Sequence, residues 1–257
     1  MKKSGAPAMR KSSSADMPAD RKLELRVGPR VTFLTGDVRA GLTGTPFDIW
    51  DDTGLDEPSG GIQFDMDWQP IDLWHFDFGL TWDRYDHSGK TSKPISSTGT
   101  GLSLVTGSAV SVDADFYTLE GTVAYDLIKR DGYRLRPYVG GKGYLIDGRQ
   151  TVTNDGAGGS GVSRTSNSSA GAGTYLVGID QRYNFTDEFY IGGDIGGSAM
   201  ESYYLLSGDA YMGYDFNKEW GLRLGYAYDY VDYQNKADTT SAQPLVGAFY
   251  VQSVWGF

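Results

Sequence analysis

The chain contains no cysteine, which excludes a disulfide framework, a thiolate nucleophile and a thiolate metal site. Histidine is almost as scarce, with His75 and His87 alone, so a multi-histidine metal cluster is unavailable. No stretch reaches the roughly 18 consecutive apolar residues of a membrane-crossing helix, so no helical span is expected. Positive charge is in deficit. Lys and Arg number 23 against 33 Asp and Glu over the 257 residues, a net charge of -10 that argues against a nucleic-acid partner. A mean hydropathy of -0.39 would suit a soluble protein, yet a membrane barrel averages to a similar value because its strands alternate.

What the chain does have is a period of two. Residues 1–21 lie outside it. They are basic at the front and serine-rich, without the apolar run of about 7–15 residues that a signal peptide needs. Too little apolar surface can be buried there to offset ordering entropy, so a disordered tail is expected before a single unit at 22–257.

From Lys22 onward, Leu23, Leu25, Val27, Val31 and Phe33 alternate with Glu24, Arg26, Arg30 and Thr32. Ile62, Phe64, Met66 and Trp68 alternate with Gln63, Asp65 and Asp67, and Trp74, Phe76, Phe78, Leu80 and Trp82 with His75, Asp77, Gly79, Thr81 and Asp83. Alternation of this kind reads as strands with one apolar face. Seven more strands follow near 112–128, 133–147, 170–184, 188–199, 203–217, 219–232 and 245–257, giving ten, an even number.

The connections differ between the two ends. Short turns fall at 69–71, 129–132, 184–187 and 217–219, whereas 36–60, 87–111, 148–169 and 233–244 read as long Gly-, Ser-, Thr- and Asp-rich loops. The link at 200–202 is the short exception on the loop side. Short turns at one end and long loops at the other are the asymmetry of outer-membrane barrels.

Volume decides which face points outward. The bulky apolar side chains are too many for the interior of a ten-strand barrel, since even eight strands leave little more than side-chain room. The opposite face carries glycine and charge and suits a crowded, hydrated inside. Trp68, Trp74, Tyr183, Phe189, Phe216 and Trp220 lie beside the short turns, and Phe33, Trp82, Tyr175, Tyr204 and Tyr230 toward the loops. They form the two aromatic belts expected at headgroup level. A soluble two-sheet sandwich is the competing reading.

The final segment, Leu245 to Phe257, alternates apolar residues and closes on Phe. It resembles the last strand of bacterial outer-membrane proteins, and that resemblance implies recognition of Phe257 by the barrel-assembly machinery. Arg136-Pro137-Tyr138-Val139-Gly140-Gly141 resembles a strand of small outer-membrane barrels, and Gly44 to Leu55 is similar to a segment of proteobacterial barrels. The resemblance implies a small porin-like family of about ten strands. The fold class expected is therefore all-β: a closed antiparallel transmembrane β-barrel with short periplasmic turns, long extracellular loops and both termini periplasmic. Outer-membrane lipid and lipopolysaccharide are the expected surroundings.

Parity places Glu24, Asp65, Asp67, Asp77, Asp83, Glu120, Asp126, Asp180, Asp194, Asp209, Asp215 and either Glu219 or Asp229 inside. Lys22, Arg26, Arg30, Arg136, Lys142, Arg182 and Arg223 face them. Two readings stay open: a lumen filled by ion pairs with trapped water, and a narrow passage whose carboxylates prefer cations. A wide diffusion pore does not fit ten strands. The function expected is porin-like or structural, without catalysis.

An enzyme is the first alternative, because ten-strand outer-membrane barrels include the omptin proteases, whose chemistry uses Asp pairs and an Asp/His pair at the rim. Asp83, Asp86 and His87 offer a base and its orienter at the loop end of the third strand, but a second Asp pair is not evident. A lipid hydrolase would need Ser and His on one face, and the adjacent His87 and Ser88 point opposite ways on a strand. His87 is expected to be an exposed loop residue, and His75 to bond within the lumen near the turns. The acidic loop with Asp48, Asp51, Asp52, Asp56 and Glu57 could hold calcium, although a solvated loop explains it as well. Glycine-rich 155–160 precedes no helix, so no phosphate-binding loop and no cofactor are expected. The last alternative is a surface adhesin acting through the long loops.

Overall fold

Alternating strands without enough inner volume for their apolar face have one stable solution in lipid, a closed sheet with no unpaired edge. The computed structural model describes residues 21–39, 46–48, 51–55, 57–97, 102–130, 132–154, 162–235 and 240–257. Among them are ten long strands and no helix. They are β1 (Leu23–Arg39), β2 (Ser59–Ile71), β3 (Trp74–Lys90), β4 (Ala109–Tyr125), β5 (Tyr133–Asn154), β6 (Val162–Asn184), β7 (Phe189–Met200), β8 (Tyr203–Asp215), β9 (Trp220–Asn235) and β10 (Thr240–Gly256). Each pairs antiparallel with the next. The barrel closes where β10 meets β1, with Leu25 opposite Trp255 and Val31 opposite Phe249.

The turn end holds the short links and the meeting point of the first and last strands, where the Lys22 and Leu23 amides donate to the Phe257 carbonyl at 3.0 and 3.2 Å. The β2–β3 turn is tight enough to place Leu73 in the left-handed region, φ 70°. After β4 a three-residue piece, Ile128–Arg130, folds back on the start of β5.

The strands run further than the alternation reached. The stretches read as loops at 36–60, 87–111, 148–169 and 233–244 are largely ladder: β1 continues to Arg39, β3 to Lys90, β5 to Asn154 and β9 to Asn235, while β2, β4, β6 and β10 begin at Ser59, Ala109, Val162 and Thr240. Above the rim the outer face meets water instead of lipid, so the polarity contrast that marks a strand fades while its hydrogen bonds persist. β5 and β6 have 22 and 23 residues, against 12 and 13 in β7 and β8, so one wall stands well above the other.

Inside that tall wall the β3–β4 connection folds back as a small hairpin, Ile95–Ser97 against Leu102–Leu104. Ile95 and Leu104 bury themselves with Val110 and Val152, and Phe47 and Leu55 from the β1–β2 connection pack on the same cluster. Of the expected tail at 1–21 only Arg21 is described, and it is held by Glu24 and Asp215; Trp50, Asp56 and the glycine-rich 155–160 stretch lie outside the described residues.

The outer surface is an apolar belt. Ile62, Leu119, Val139, Val177, Leu224 and Phe249 are about half exposed. Soluble proteins rarely expose contiguous apolar patches above a few hundred Å². On β3 the outward apolar residues run from Trp74 to Trp82, the roughly 9–11 residues a tilted strand needs to cross a bilayer. Just above, Arg84 pairs outward with Asp113 at 2.6 Å and Asp115 at 3.0 Å, and Trp82 donates to Asp115 at 2.9 Å. Those charges fix the upper edge of the belt.

Candidate functional site

The inward face is the place where chemistry can occur. At the turn end Arg21 lies across the mouth, bonding Glu24 at 3.3 Å and Asp215 at 3.1 Å. The Arg182 guanidinium lies over the Tyr190 ring, 3.5 Å from its centroid. His75 sits between two carboxylates, Nδ1 at 2.8 Å from Asp67 and Nε2 at 3.2 Å from Asp126. Only the doubly protonated ring can donate to both.

The next layer is the waist. Arg136 spans from β5 to Asp67 on β2 and Asp180 on β6, both at 2.8 Å. Arg223 pairs with Asp209 and lies 3.4 Å from the Tyr211 ring centroid. Tyr250 donates to the same Asp209 at 2.7 Å. Arg26, Tyr211 and Arg223 divide the lumen in two. A cavity of about 170 Å³ lies on the loop side, and one of about 60 Å³ on the turn side.

Asp77, Glu120 and Asp194 face the larger cavity. Lys142 crosses it from β5 to Asp229 on β9 at 2.7 Å and Ser207 on β8 at 3.0 Å, and also pairs with Glu120 at 3.3 Å. Asp194 accepts from Tyr138 at 3.3 Å, and neither Asp77 nor Asp194 forms an ion pair among the described residues. Higher still, Arg30 contacts the fully buried Asp83 at 3.0 Å, and Thr32 donates to the same carboxylate at 2.6 Å.

Glu24, Arg26, Arg30, Asp65, Asp67, Asp77, Glu120, Arg136, Lys142, Arg182, Asp194, Asp209 and Arg223 all lie on the inner face, and Asp229 rather than Glu219 completes the acidic set. His75 bonds at the turn end of the lumen, as expected.

The rim group differs. Asp83, Asp86 and His87 do not come together: Asp83 is locked to Arg30, and the exposed Asp86 is on the opposite face of β3 from His87. His87 is not an exposed loop residue. It is a residue of β3, its side chain 12% exposed, with Nε2 at 2.8 Å from Ser59 Oγ. The strand continuing past Asp86 turns the ring inward.

The acidic loop is engaged internally. Asp48 accepts from the Asp51 amide at 2.7 Å, and Asp52 accepts from the Asp48 amide at 2.7 Å, Ser92 at 3.0 Å and Lys93 at 2.6 Å. Desolvation opposes the charge on Asp52, but its donors Lys93, Asp48 and Ser92 outweigh it and hold the carboxyl below its ordinary value. This group ties the β1–β2 connection to that of β3–β4.

Residues missed from sequence are the inward tyrosines, Tyr138, Tyr190, Tyr211 and Tyr250, with Gln252 and Arg134. Strand parity carried that signal: Tyr250 and Gln252 alternate with outward Phe249 and Val251.

No family model and no curated protein matches the chain. Among solved structures, the outer-membrane protease OmpT of Escherichia coli aligns at a TM-score of 0.56 and 10% identity, over 95% of this chain and 100% of that one. The fold is that of an outer-membrane β-barrel. The translocator domain of the autotransporter NalP from Neisseria meningitidis gives a TM-score of 0.51 at 13% identity, over 95% of this chain and 91% of that one. At such identities the likeness extends to the fold of this barrel alone.

Proposed function

We propose that this outer-membrane barrel is porin-like with a constricted lumen, closed to ordinary solutes and passing small cations slowly. The observation that carries the reading is the pair of ion bridges between strands that are not neighbours, Arg136 to Asp67 and Lys142 to Asp229. They brace opposite walls and leave water-sized chambers instead of a channel. Inward carboxylates outnumber inward cations, and Asp77 and Asp194 border the larger chamber without an ion partner. A net negative lining favours cations. In this reading the turn end, both termini and Phe257 face the periplasm, where the assembly machinery engages the last strand. The belt meets lipid, with lipopolysaccharide around the rim.

Planar-bilayer recording in a salt gradient tests the reading. Small cation-selective steps are expected, with selectivity weakened by Asp77→Asn and Asp194→Asn. Large non-selective steps, or silence from demonstrably inserted protein, would remove the conduction reading.

A further inference from the structure

The rim holds an arrangement that the lumen reading does not use. Ser59 opens β2 on the inner face, and His87 lies across from it near the end of β3. Ser59 Oγ is 2.8 Å from His87 Nε2. The other ring nitrogen, Nδ1, is buried without a hydrogen-bond partner and faces the Glu57 carboxylate at 3.5 Å. A hydroxyl, an imidazole and a carboxylate in this order form a nucleophile, its base and the group that orients the base. When Nε2 accepts the Ser59 proton, Nδ1 carries its own proton and points it at Glu57. That side chain is 77% exposed and free to close the remaining distance.

We propose that Ser59, His87 and Glu57 form a hydrolytic site for small, neutral, water-soluble carboxylic esters. Position selects the substrate. The group stands above Trp82 and the outward charges of Arg84 and Asp115, clear of the lipid belt, with the Glu57 side chain reaching solvent. That geometry excludes bilayer lipid and favours an ester arriving from solution. Ser59 is 2% exposed, so the acyl group must be small. Glu57, together with the acids below it, disfavours anionic esters.

In the first half-reaction Ser59 Oγ bonds to the carbonyl carbon as its proton moves to His87 Nε2. The ester C–O bond then breaks, and the alcohol leaves with that proton. In the second, water gives a proton to Nε2 and attacks the acyl carbon, and Ser59 recovers the proton as the carboxylic acid departs. Atoms balance with water as the one co-reactant.

The full chain, refolded in detergent, is to be tested with p-nitrophenyl acetate and with a small fluorophosphonate, the adduct located by peptide mass spectrometry. Labelling at Ser59 and measurable turnover are expected. Ser59→Ala should abolish both, and His87→Gln should slow them about 100-fold or more, the usual contribution of a general base. Glu57→Gln should lower the rate less and alter its pH profile. Ser88→Ala, on the opposite face of β3, should leave labelling and turnover unchanged. Heat-modifiable gel mobility establishes that each variant is folded. Absence of label at Ser59 in folded protein overturns the proposal, as does turnover that survives Ser59→Ala. Should Ser59→Ala not fold, His87→Gln decides: unchanged labelling overturns it, and loss of labelling in folded protein supports it.

Discussion

Tyr190 on β7 lies directly across from Gly213 on β8, Tyr211 from Gly192, and Tyr250 on β10 from Gly225 on β9. A Cβ added at Gly213 would sit 2.1 Å from the Tyr190 ring, so the glycine is the space that the tyrosine occupies. Abundant glycine and tyrosine are thus two halves of one packing device, which lets large rings lie flat on the wall of a narrow lumen. Gly213→Val should destabilise the barrel by about 1–3 kcal/mol, the usual cost of overpacking. Adding Tyr190→Ala should recover part of that loss. Gly121, with nothing within 4 Å of an added Cβ, is the control, and Gly121→Val should be tolerated. Guanidinium unfolding in micelles measures all three. Glycine was legible in the sequence as an inner-face residue, but its ring partner was not. That pairing depends on register between strands, and a single strand's pattern does not specify register.

At the scale of the strand, alternation was readable wherever one face met lipid and the other water. The contrast stopped at the rim, which is why Lys90, Asn154 and Asn235 fell outside the expected strands. His87 was misplaced for the same reason, and with it the contact to Ser59. Within the belt the same parity holds for the charged lumen residues and for the inward tyrosines that the reading left out. One strand variant tests the lipid-facing assignment. Val139 lies on the outward face of β5, midway between Tyr133 and Leu145, and is 57% exposed. Val139→Arg should cost about 2–4 kcal/mol in lipid vesicles, the penalty for a charge near the midplane. Lys142→Arg, three residues further and on the inner face, should cost far less. Equal losses from the two would mean that Val139 does not face hydrocarbon.

For the whole molecule, the ion bridges tie together parts of the barrel that the hydrogen-bond ladder leaves separate. Lys142 reaches from β5 to β8 and β9, and Arg136 from β5 to β2. Which acid meets which base follows from the circumference and the stagger, so these partners were invisible to a reading that works strand by strand. Their role follows from electrostatics. Lys142 is 9% exposed and faces Glu120 on β4 and Asp229 on β9, so Lys142→Ala would leave a carboxylate on each of two facing walls without its cation. Breaking a buried pair from one side costs about 3–5 kcal/mol, because the remaining charge is uncompensated. The variant should therefore unfold at lower denaturant. The same change removes a brace and a positive charge from the larger chamber, so its bilayer conductance should rise and its cation preference sharpen. Lys142→Met with Glu120→Gln and Asp229→Asn should restore much of the stability while lowering selectivity below that of the starting protein. Stability and selectivity would then move in opposite directions in the two variants. A purely structural lumen predicts a change in stability with no change in current.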